Sequence, residues 1–524
     1  MRKSTVILII LTVLALIGGI VFSILQSRDR AANFIRSSDA PRIKGTITVA
    51  GDNYLGYWFI TSPEFLRNLR QKGYALNWVN DGGDYAARHK QFNDSKYDLM
   101  VLPVNSYLYH GKDYNYPGVI VSVISDSKGA DSILAYSQKV GGTKVNDLDN
   151  PNLKIGFTAD SPSSFLLNTA IVHFDLKNLK TQKVWRQETK SSKEAYELLR
   201  AQKIDAAVLW EPDVSLALAL PGIVPIFGSD QVAGMIVDVF VAQRELVLKE
   251  PEKVSAFFQA YFETLTYYDK NRDEMFREMG KIKDAENKII FKSRDESEKA
   301  VNRIAWFDYE DNYRWFGLTP SGIVATTKRE KLIDTISQVS QVMLEIGDFK
   351  TDPLRNNPYT IVNSTIIASL YGKVQNSSAI GAVMPISIAF APLTISEWQQ
   401  LKAMGTMRIL PILFQSGTTT LTIDGRKVVD EAAIALSQNY PQYRILIKGH
   451  TAPSGDEQAN ITLSQERADS VKRYLEAVHG FDASRIMTIG LGSREPLSRL
   501  SGEGELSYRT RLARVEFVLL EDKR

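Results

Sequence analysis

The sequence contains no cysteine and only five histidines among its 524 residues. The absence of cysteine excludes disulfide bonds, thiolate metal sites, cysteine nucleophiles and a lipidated N-terminal cysteine. So few histidines leave little material for a histidine-rich metal site. We therefore expect neither a metal centre nor a cofactor.

The sequence also lacks an excess of charge of either sign. Lys and Arg number 63 against 60 Asp and Glu, which leaves a formal charge of +3. Proteins whose main partner is nucleic acid usually carry a concentrated basic patch, so this balance argues against such a partner. Apolar residues make up 44% and charged residues 23%, which are ordinary globular values. A length of 524 residues predicts two or three domains.

One long apolar run stands near the N-terminus. Residues 4–27 contain no charged side chain, and residues 6–25 are mostly Val, Ile and Leu. At about 1.5 Å per residue this run spans roughly 30 Å, the thickness of a bilayer's hydrocarbon core. The alternative is a cleaved signal peptide, but its apolar stretch usually has only about 7–15 residues and ends in small residues, whereas Arg30 occupies the −3 position of the best candidate site. The pattern favours one uncleaved transmembrane helix within residues 1–27.

The charges beside this run predict its orientation. Arg2 and Lys3 favour a cytoplasmic N-terminus, which would place the bulk of the chain in the periplasm of a bacterium. The run contains no acidic residue that could conduct ions at membrane depth, so the helix is interpreted as an anchor only. We expect a single-pass inner-membrane protein.

The remainder divides into four segments. Residues 28–44 are polar and indicate a linker. Between residues 45 and 345 short apolar runs alternate with amphipathic stretches, which predicts two α/β lobes with mostly parallel sheets. Residues 346–404 close the lobes and connect them to a compact α+β domain at 405–524. The predicted strands are 46–50, 99–102, 119–124, 154–157, 206–210 and 237–242, and the predicted helices include 161–175, 192–201 and 251–267.

Five motifs follow one another along the two-lobed segment: SKGAD at 127–131, LKIGF at 153–157, SPSSFLL at 161–167, IDAAVLWEP at 204–212 and KEPEKV at 249–254. In order and spacing they resemble the periplasmic solute-binding proteins that bind nitrate, taurine, alkanesulfonates and thiamine precursors, the substrate-binding components of ABC transporters. The resemblance implies the two-lobed periplasmic-binding-protein fold, closing on a small solute in its cleft. Ligands of open α/β sheets bind beyond the carboxyl ends of strands, where these motifs lie.

One candidate binding element is the start of the helix at 161–175. Ser161 fits the N-cap and Pro162 the first helical position, and Ser163 and Ser164 follow. A helix start presents backbone N–H groups and a partial positive charge, which suit a carboxylate, sulfonate or phosphate. The alternative is that these serines only cap the helix.

The other candidate residues follow strands on both sides of the cleft. Trp210 and Glu211 end an apolar strand and are expected at the cleft rim, where they suit a ligand with an apolar body and an amine or hydroxyl donor. Glu211 and Asp238 disfavour an anion, whereas the helix start at Ser161 favours one, so the charge of the solute stays open. The facing loop after the first strand contributes Asn53, Tyr54 and Tyr57.

Catalysis is not expected. One branch of the same fold is a self-consuming pyrimidine synthase that requires a histidine in its site, but His89, His110 and His173 do not follow predicted strands. The sequence also lacks a Ser-His-Asp order, a phosphate loop and a carboxylate pair at catalytic spacing. We therefore assign no catalytic residue.

The C-terminal segment carries a more specific signature. Residues 449–451 read Gly-His-Thr, and Asn460, residues 463–464 (Leu-Ser) and residues 467–468 (Arg-Ala) follow. This pattern resembles the OmpA-like peptidoglycan-binding domain, also found in peptidoglycan-associated lipoproteins and flagellar stator proteins. The resemblance implies a β-α-β-α-β unit with its helices on one face of the sheet.

The same resemblance implies a pocket for the diaminopimelate of the peptidoglycan stem. In that family an Asp directly after Gly-His-Thr holds the ammonium group, and the Arg of Arg-Ala holds the carboxylate. Ala452 replaces that Asp here, and Asp456 is the nearest substitute. A lost charge-assisted hydrogen bond costs about 1.5–3 kcal/mol, so binding is expected to be weak or altered. The implied pocket residues are Thr451, Asn460, Arg467 and Arg514.

Together these patterns predict an anchored periplasmic protein that binds or senses a small solute and is tethered to peptidoglycan. Because a tethered receptor cannot diffuse to a permease, a membrane protein partner is expected to read out cleft closure. The alternative is a non-catalytic scaffold between membrane and cell wall, with a vestigial cleft.

Overall fold

The computed structural model describes residues 26, 42–283, 289–318, 330–374, 390–415, 418–500 and 502–522. Apart from Gln26, the predicted membrane anchor lies outside these residues, as does most of the predicted linker. Within the described ranges no helix combines the length and the apolar character that crossing a bilayer requires.

The described residues form three β-sheets. Their strands, in chain order, are β1 (Gly45–Gly51), β2 (Tyr74–Asn80), β3 (Leu99–Pro103), β4 (Gly118–Ser127), β5 (Asp131–Tyr136), β6 (Ile155–Thr158), β7 (Arg186–Thr189), β8 (Ala206–Trp210), β9 (Ile223–Gly228), β10 (Val237–Gln243), β11 (Ile304–Trp306), β12 (Lys402–Met407), β13 (Arg444–Gly449), β14 (Ile486–Gly490) and β15 (Val515–Glu521). Each of the six predicted strands overlaps one of these.

Helices cover the sheets and connect the strands. The α-helices are α1 (Trp58–Thr61), α2 (Pro63–Gln71), α3 (Tyr85–Asn93), α4 (Val104–Gly111), α5 (Ser137–Val140), α6 (Pro162–His173), α7 (Lys177–Thr181), α8 (Ser192–Arg200), α9 (Asp213–Leu218), α10 (Arg244–Lys249), α11 (Pro251–Lys270), α12 (Arg272–Met279), α13 (Arg294–Val301), α14 (Tyr309–Trp315), α15 (Lys331–Ile346), α16 (Thr365–Ser369), α17 (Ile395–Gln400), α18 (Ile423–Gln438), α19 (Glu457–His479) and α20 (Glu505–Leu512). Short 3₁₀ turns occupy Leu55–Tyr57, Lys112–Tyr114, Val145–Leu148, Ser229–Gln231, Pro358–Ile361 and Ala483–Arg485.

The first lobe is built on a six-stranded sheet of order β11-β4-β10-β3-β1-β2. Strand β1 runs parallel to β2 and β3, whereas β10 runs antiparallel to β3 and β4. Every residue of β3 and β4 is buried, as expected for strands covered on both faces. The sheet is therefore mixed, and the prediction of mostly parallel sheets is corrected in this respect.

The second lobe has a five-stranded sheet of order β7-β6-β8-β5-β9, in which β5 runs antiparallel to its neighbours β8 and β9. The antiparallel strands arise from two crossovers between the lobes. The chain passes from β4 to β5 through residues 128–130, and it returns from β9 to β10 through residues 229–236. Two α/β lobes joined by crossover strands are the arrangement that the five motifs implied.

Hydrogen bonds tie the two crossovers together. The hydroxyl oxygens of Ser127 and Ser229 lie 2.7 Å apart, and the Gly129 N–H donates to the Ser229 hydroxyl at 2.8 Å. Gly129 has a φ of +93°, a conformation that side-chain-bearing residues rarely adopt. The two connections therefore form one cross-linked junction at the base of the cleft between the lobes.

The C-terminal domain has a four-stranded sheet of order β12-β15-β13-β14, with helices α18, α19 and α20 between its strands. Helix α19 packs on β13 and β14 where two glycines end these strands. A Cβ at Gly449 would lie 2.0 Å from the Ser464 carbonyl oxygen, and one at Gly490 would lie 2.4 Å from the Gln465 nitrogen. Glycine at both positions is what allows this close approach, and the α+β architecture is as predicted.

Part of the segment predicted as closing piece and connector belongs to the first lobe. Val362 pairs with Ile120 of β4, and the Asn363 N–H donates to the Ile120 carbonyl at 2.9 Å. Ile366 and Ile367 are buried in the same core. The C-terminal sheet, however, begins at Lys402, inside the predicted connector rather than at residue 405.

Candidate functional site

A small cavity lies between the two lobes, next to the crossover junction. Its volume is about 10 Å³, which is close to the minimum that holds one water molecule. The cleft is therefore almost filled by its own side chains. The lining residues are Asp52, Tyr54, Tyr57, Tyr85, Asp131, Pro162, Trp210 and Asp238.

The loop after β1 supplies two tyrosines to the first-lobe wall. The rings of Tyr54 and Tyr57 meet edge to face, with centroids 5.3 Å apart. A Cβ at Gly56 would lie 2.3 Å from the Tyr54 ring, so the glycine allows this ring to fold back over the turn. The Tyr57 hydroxyl donates a hydrogen bond to Oδ1 of Asp238 on β10. The loop is thus fastened to the sheet directly beneath the cavity.

A buried arginine neutralises one of the three lining carboxylates from behind. Arg88 of α3 is fully buried, and its guanidinium lies 2.9 Å from Oδ2 of Asp52 and 2.5 Å from Oδ1 of Asp81. The guanidinium also donates to the Val101 carbonyl oxygen and stacks over the Tyr85 ring at 4.8 Å. Asp52 is therefore half of a structural ion pair.

The other two lining carboxylates have no ion-pair partner among the described residues. Asp131 and Asp238 are each only 2% exposed. Oδ2 of Asp131 accepts from the Ser127 hydroxyl at 2.7 Å, whereas its Oδ1 has no hydrogen-bond partner in the described part of the chain. Burial raises the pKa of Asp131 to about 7. Burial likewise raises the pKa of Asp238, against the hydrogen bond from Tyr57.

The Tyr54 hydroxyl is a third buried polar group at the cavity. Its side chain is 9% exposed, and its oxygen has no hydrogen-bond partner of ordinary geometry within the described ranges. The hydroxyls of Ser125 and Ser127 lie nearby, and burial followed by the Asp238 and Asp131 charges raises the Tyr54 pKa. Buried polar atoms are nearly always hydrogen-bonded, so such an atom facing a cavity indicates a place for a ligand or water.

The serines at the start of α6 use their hydroxyls within the fold. Ser161 is buried, donates to the Thr158 carbonyl at 2.6 Å and accepts from the Ser163 N–H. The Ser163 hydroxyl donates to the Val208 carbonyl at 3.1 Å. The Ser164 hydroxyl closes the cap by hydrogen bonds with Ser161. None of these three serines lines the cavity, where α6 contributes Pro162 instead.

Glu211 and Asn53 also lie away from the cavity. Glu211 was expected at the cleft rim, but its side chain is fully buried, accepts from the Ser215 hydroxyl at 2.9 Å and lies 3.2 Å from Arg303. The Asn53 side chain accepts from the Asn80 amide at 2.6 Å on the surface. Among the predicted cleft residues, those that line the cavity are Tyr54, Tyr57, Trp210 and Asp238.

Sequence reasoning did not select Asp131 or Tyr85. Asp131 ends the SKGAD motif, and its position directly after a crossover is a signal that could have identified it. Tyr85 lies at the start of α3, far from every motif, and only the folded lobe brings its ring to the cleft. Within the described ranges no three His, Asp or Glu side chains group in a way that could hold a metal ion.

In the C-terminal domain Arg467 of α19 points its guanidinium over the Phe414 ring at 5.1 Å. The side chain is partly buried, its Nε has no hydrogen-bond partner, and no described carboxylate pairs with it. Burial without a neutralising partner lowers the Arg467 pKa. Thr451 is also buried, and its hydroxyl oxygen has no partner among the described residues. Arg467 is thus a partly buried cation without an ion-pair partner among the described residues.

The remaining predicted pocket residues have structural partners. Asp456, the candidate substitute for the missing Asp, caps α19 by accepting from the Ala459 N–H at 2.8 Å. The Asn460 amide donates to the Ser454 carbonyl at 2.9 Å. Arg514 pairs with Glu516 at 2.6 Å. Arg467 is therefore without an ion-pair partner among the described residues, whereas Arg514 is neutralised by Glu516.

Helix α6 connects the cavity to the C-terminal domain. Pro162 at its start lines the cavity. At its end, the His173 carbonyl accepts from the Arg408 N–H at 2.7 Å, and His173 Nδ1 lies 2.7 Å from the Tyr440 hydroxyl oxygen. Helix α6 therefore contacts the inter-lobe cavity at its start and the C-terminal domain at its end.

The sequence comparisons match the C-terminal domain, whereas the solved structures match the two-lobed region. Residues 413–508 match the model of the OmpA family. Over 109 residues the chain is 38% identical to the probable lipoprotein YiaD of Escherichia coli (strain K12), covering 21% of this chain and 47% of that protein. Over 87 residues it is 32% identical to the peptidoglycan-associated lipoprotein of Agrobacterium fabrum, covering 17% and 48%. The chain spans about half the length of the curated relatives it matches.

Solved structures match the N-terminal region. The periplasmic sulfonate-binding protein SsuA of Methylobacillus flagellatus KT superposes with a TM-score of 0.46 at 12% identity, covering 64% of this chain and 99% of that one. The aliphatic sulphonate binding protein SsuA of Escherichia coli gives a TM-score of 0.44 at 14% identity, covering 59% and 91%. By its own sheet topology and by the family match, the chain joins a periplasmic-binding-protein fold to a C-terminal OmpA domain.

Proposed function

We propose that the protein is a periplasmic solute-binding or sensing protein, anchored in the inner membrane and tethered to peptidoglycan through its OmpA domain. The observation that carries the proposal is the presence, in both modules, of buried polar atoms without a hydrogen-bond partner among the described residues: Asp131 Oδ1 and the Tyr54 hydroxyl in the cleft, and Arg467 Nε in the OmpA domain.

The cleft supports solute binding because its walls come from different lobes. Tyr54, Tyr57 and Asp238 belong to the first lobe, whereas Trp210 and Pro162 belong to the second. A solute held between them would contact both lobes only in the closed arrangement. A ligand shifts a conformational equilibrium by its difference in affinity for the two states, so solute binding would favour closure.

The OmpA domain supports peptidoglycan binding through Arg467. A guanidinium can pair with a carboxylate through two parallel hydrogen bonds, and that of Arg467 is paired with no carboxylate in the described ranges. The stem-peptide carboxylate is the partner that the family resemblance implies. Ala452 removes the contact to the ammonium group, so we expect weaker binding than in domains that keep the Asp.

Helix α6 offers a route by which closure could reach the wall-binding domain. Movement of Pro162 at the cavity would displace His173, which is hydrogen-bonded to Arg408 and Tyr440. A membrane protein partner near the N-terminal anchor would then read the same movement. The apolar run at residues 6–25 is what supports the anchor.

The tether can be tested by co-sedimentation of the full chain, purified in detergent, with isolated peptidoglycan sacculi. Arg467→Ala should lower the affinity for sacculi by roughly ten- to a hundredfold, as expected for the loss of one charge-assisted contact, and the bound fraction should fall accordingly. Arg473→Ala changes an exposed arginine on the same helix and is the matched control. Ala452→Asp should strengthen binding. Sedimentation that is equal for all three variants would refute the pocket.

A second candidate function is a non-catalytic scaffold between membrane and wall, and the small cavity favours it. A volume of about 10 Å³ has room for about one water molecule, which is less than a whole solute occupies. Thermal unfolding against a panel of amines, amino acids, anions and sulfonates separates the two functions. A solute at one hundred times its Kd should add about 2.7 kcal/mol to stability, whereas a scaffold would respond to none.

A further inference from the structure

We propose that the inter-lobe cavity binds the ammonium group of a small organic amine. This inference deepens the proposed solute-binding function and rests on it. The ammonium N–H groups would donate to Asp131, Asp238 and the Tyr54 hydroxyl oxygen, and the amine's carbon body would lie against the aromatic wall.

The charges at the cavity favour a cation. The lining contains three carboxylates and no Lys or Arg side chain. Arg88 is committed to Asp52 and Asp81. Asp131 and Asp238 have no ion pair with a described residue, so a cation between them would be the missing counter-charge. An anion there would face the same two carboxylates without compensation.

The unpartnered atoms point to a hydrogen-bond donor. Oδ1 of Asp131 has no hydrogen-bond donor within reach in the described part of the chain, although Asp131 is only 2% exposed. The Tyr54 hydroxyl oxygen also has no hydrogen-bond partner of ordinary geometry among the residues described, and Tyr54 lines the same cavity. An ammonium group has three N–H donors and no acceptor, which matches a site made of acceptor oxygens.

The walls of the cavity favour an organic ammonium group over a metal ion. The rings of Tyr54, Tyr57, Tyr85 and Trp210 line the cavity, and aromatic faces attract organic cations. In the described ranges no three acidic or histidine side chains converge as a metal would require.

Binding of a cation should be linked to proton release. Asp131 faces Ser127 and the buried Glu211, and burial raises its pKa to about 7. Asp238 faces Tyr57, Asp52 and Arg88, and burial raises its pKa as well. Near neutral pH a bound ammonium would displace a proton from this pair, so affinity should increase as pH rises from 6 to 8.

The test is isothermal titration calorimetry of the full chain in detergent with n-butylammonium, ethanesulfonate and potassium as separate probes. We expect n-butylammonium to bind, with heats that depend on the buffer's ionisation enthalpy because protons are released. Asp131→Asn should weaken binding at least about tenfold, which corresponds to the loss of one charge-assisted contact. Tyr54→Phe should weaken it less. Asp94→Asn, an exposed aspartate of the first lobe, should leave it unchanged.

The other outcomes overturn the inference in distinguishable ways. Binding of ethanesulfonate without n-butylammonium would refute the amine and retain the solute-binding function. Equal binding of potassium would refute an organic ligand. Binding that Asp131→Asn leaves intact, in a variant that unfolds no earlier than the wild type, would refute the site. Binding of none of the three probes would refute the amine, and failure of the whole thermal-unfolding panel would then refute solute binding itself.

Discussion

The clearest test of the cleft's electrostatics is the pH dependence of stability after Asp131→Asn. In the folded protein burial raises the Asp131 pKa from its ordinary value of 3.8 to about 7. A shift of roughly 3 pKa units at 1.36 kcal/mol each corresponds to about 4 kcal/mol. That is the free energy by which ionised Asp131 destabilises the folded protein relative to the unfolded chain.

The sign follows from where each state binds the proton. Below pH 3.8 the carboxyl is protonated in both states and does not affect the pH dependence. Between pH 4 and 7 the unfolded chain ionises while the folded protein keeps its proton, so the wild type loses stability as pH rises. The Asn variant carries no such titration. The variant's advantage should therefore grow towards about 4 kcal/mol near pH 7 and stay constant above it.

Urea unfolding of the full chain at pH 5, 6, 7 and 8 measures this difference. Tryptophan fluorescence reports on the two lobes, since every tryptophan except Trp398 lies within residues 45–345. Asp238 titrates in both proteins, and removing its neighbour Asp131 eases its ionisation, which adds in the same direction. Asp94→Asn should show no pH-dependent difference. A difference between wild type and Asp131→Asn that is constant from pH 5 to 8 would refute the reasoning.

Two further substitutions test the packing of the modules. Gly449→Ala should destabilise the OmpA domain by about 1–3 kcal/mol because its Cβ would lie 2.0 Å from the Ser464 carbonyl oxygen. Thermal unfolding measures the change, with Gly504→Ala, where nothing lies within 4 Å, as the control. Equal melting temperatures of the two variants would contradict the close packing of α19. Arg88→Met should lower the unfolding free energy of the first lobe by about 3–5 kcal/mol because it leaves Asp52 and Asp81 as unpaired charges. Urea unfolding measures the loss, and substitution of an exposed arginine, Arg70→Met, is the control. A loss no larger than that of the control would show that the buried ion pairs do not stabilise this lobe.

Much of the fold could be predicted because its signals are local. Strands β3 and β4 are continuous apolar runs, and their complete burial is what such runs predict. The Gly-His-Thr signature includes Gly449, and the structure gives the reason for this glycine: helix α19 packs too close to the end of β13 to leave room for a Cβ. Sheet direction was not local information. The lobes became mixed rather than parallel because β5 and β10 enter from the opposite lobe.

The candidate site was harder to predict because its residues meet only in three dimensions. Ser161 carries an N-cap signal, but a serine at that position satisfies the helix with its own hydroxyl and leaves none for a solute. Glu211 follows a strand, yet it is buried where it pairs with Arg303, which is distant in sequence, and accepts from the nearby Ser215 hydroxyl. Asp131 ends the motif at 127–131, but nothing in the sequence indicates that its carboxylate lies near that of Asp238.

The position of Asp131 joins ligand recognition to the movement of the lobes. One carboxylate oxygen accepts from Ser127, whose hydroxyl also lies 2.7 Å from that of Ser229 on the other crossover. The second oxygen has no partner in the described part of the chain, and the residue lines the cavity. The same side chain is therefore part of the junction about which two lobes would close and part of the surface that a solute would touch. Neutralising its charge by a proton and balancing it by a bound cation would be physically different events, because only the cation would also contact Trp210, which lines the same cavity. If the proposed amine binds, a proton at Asp131 would stabilise the junction alone, whereas the cation would stabilise the junction and bridge the lobes, and this difference would allow the cleft to respond to a solute rather than to pH alone.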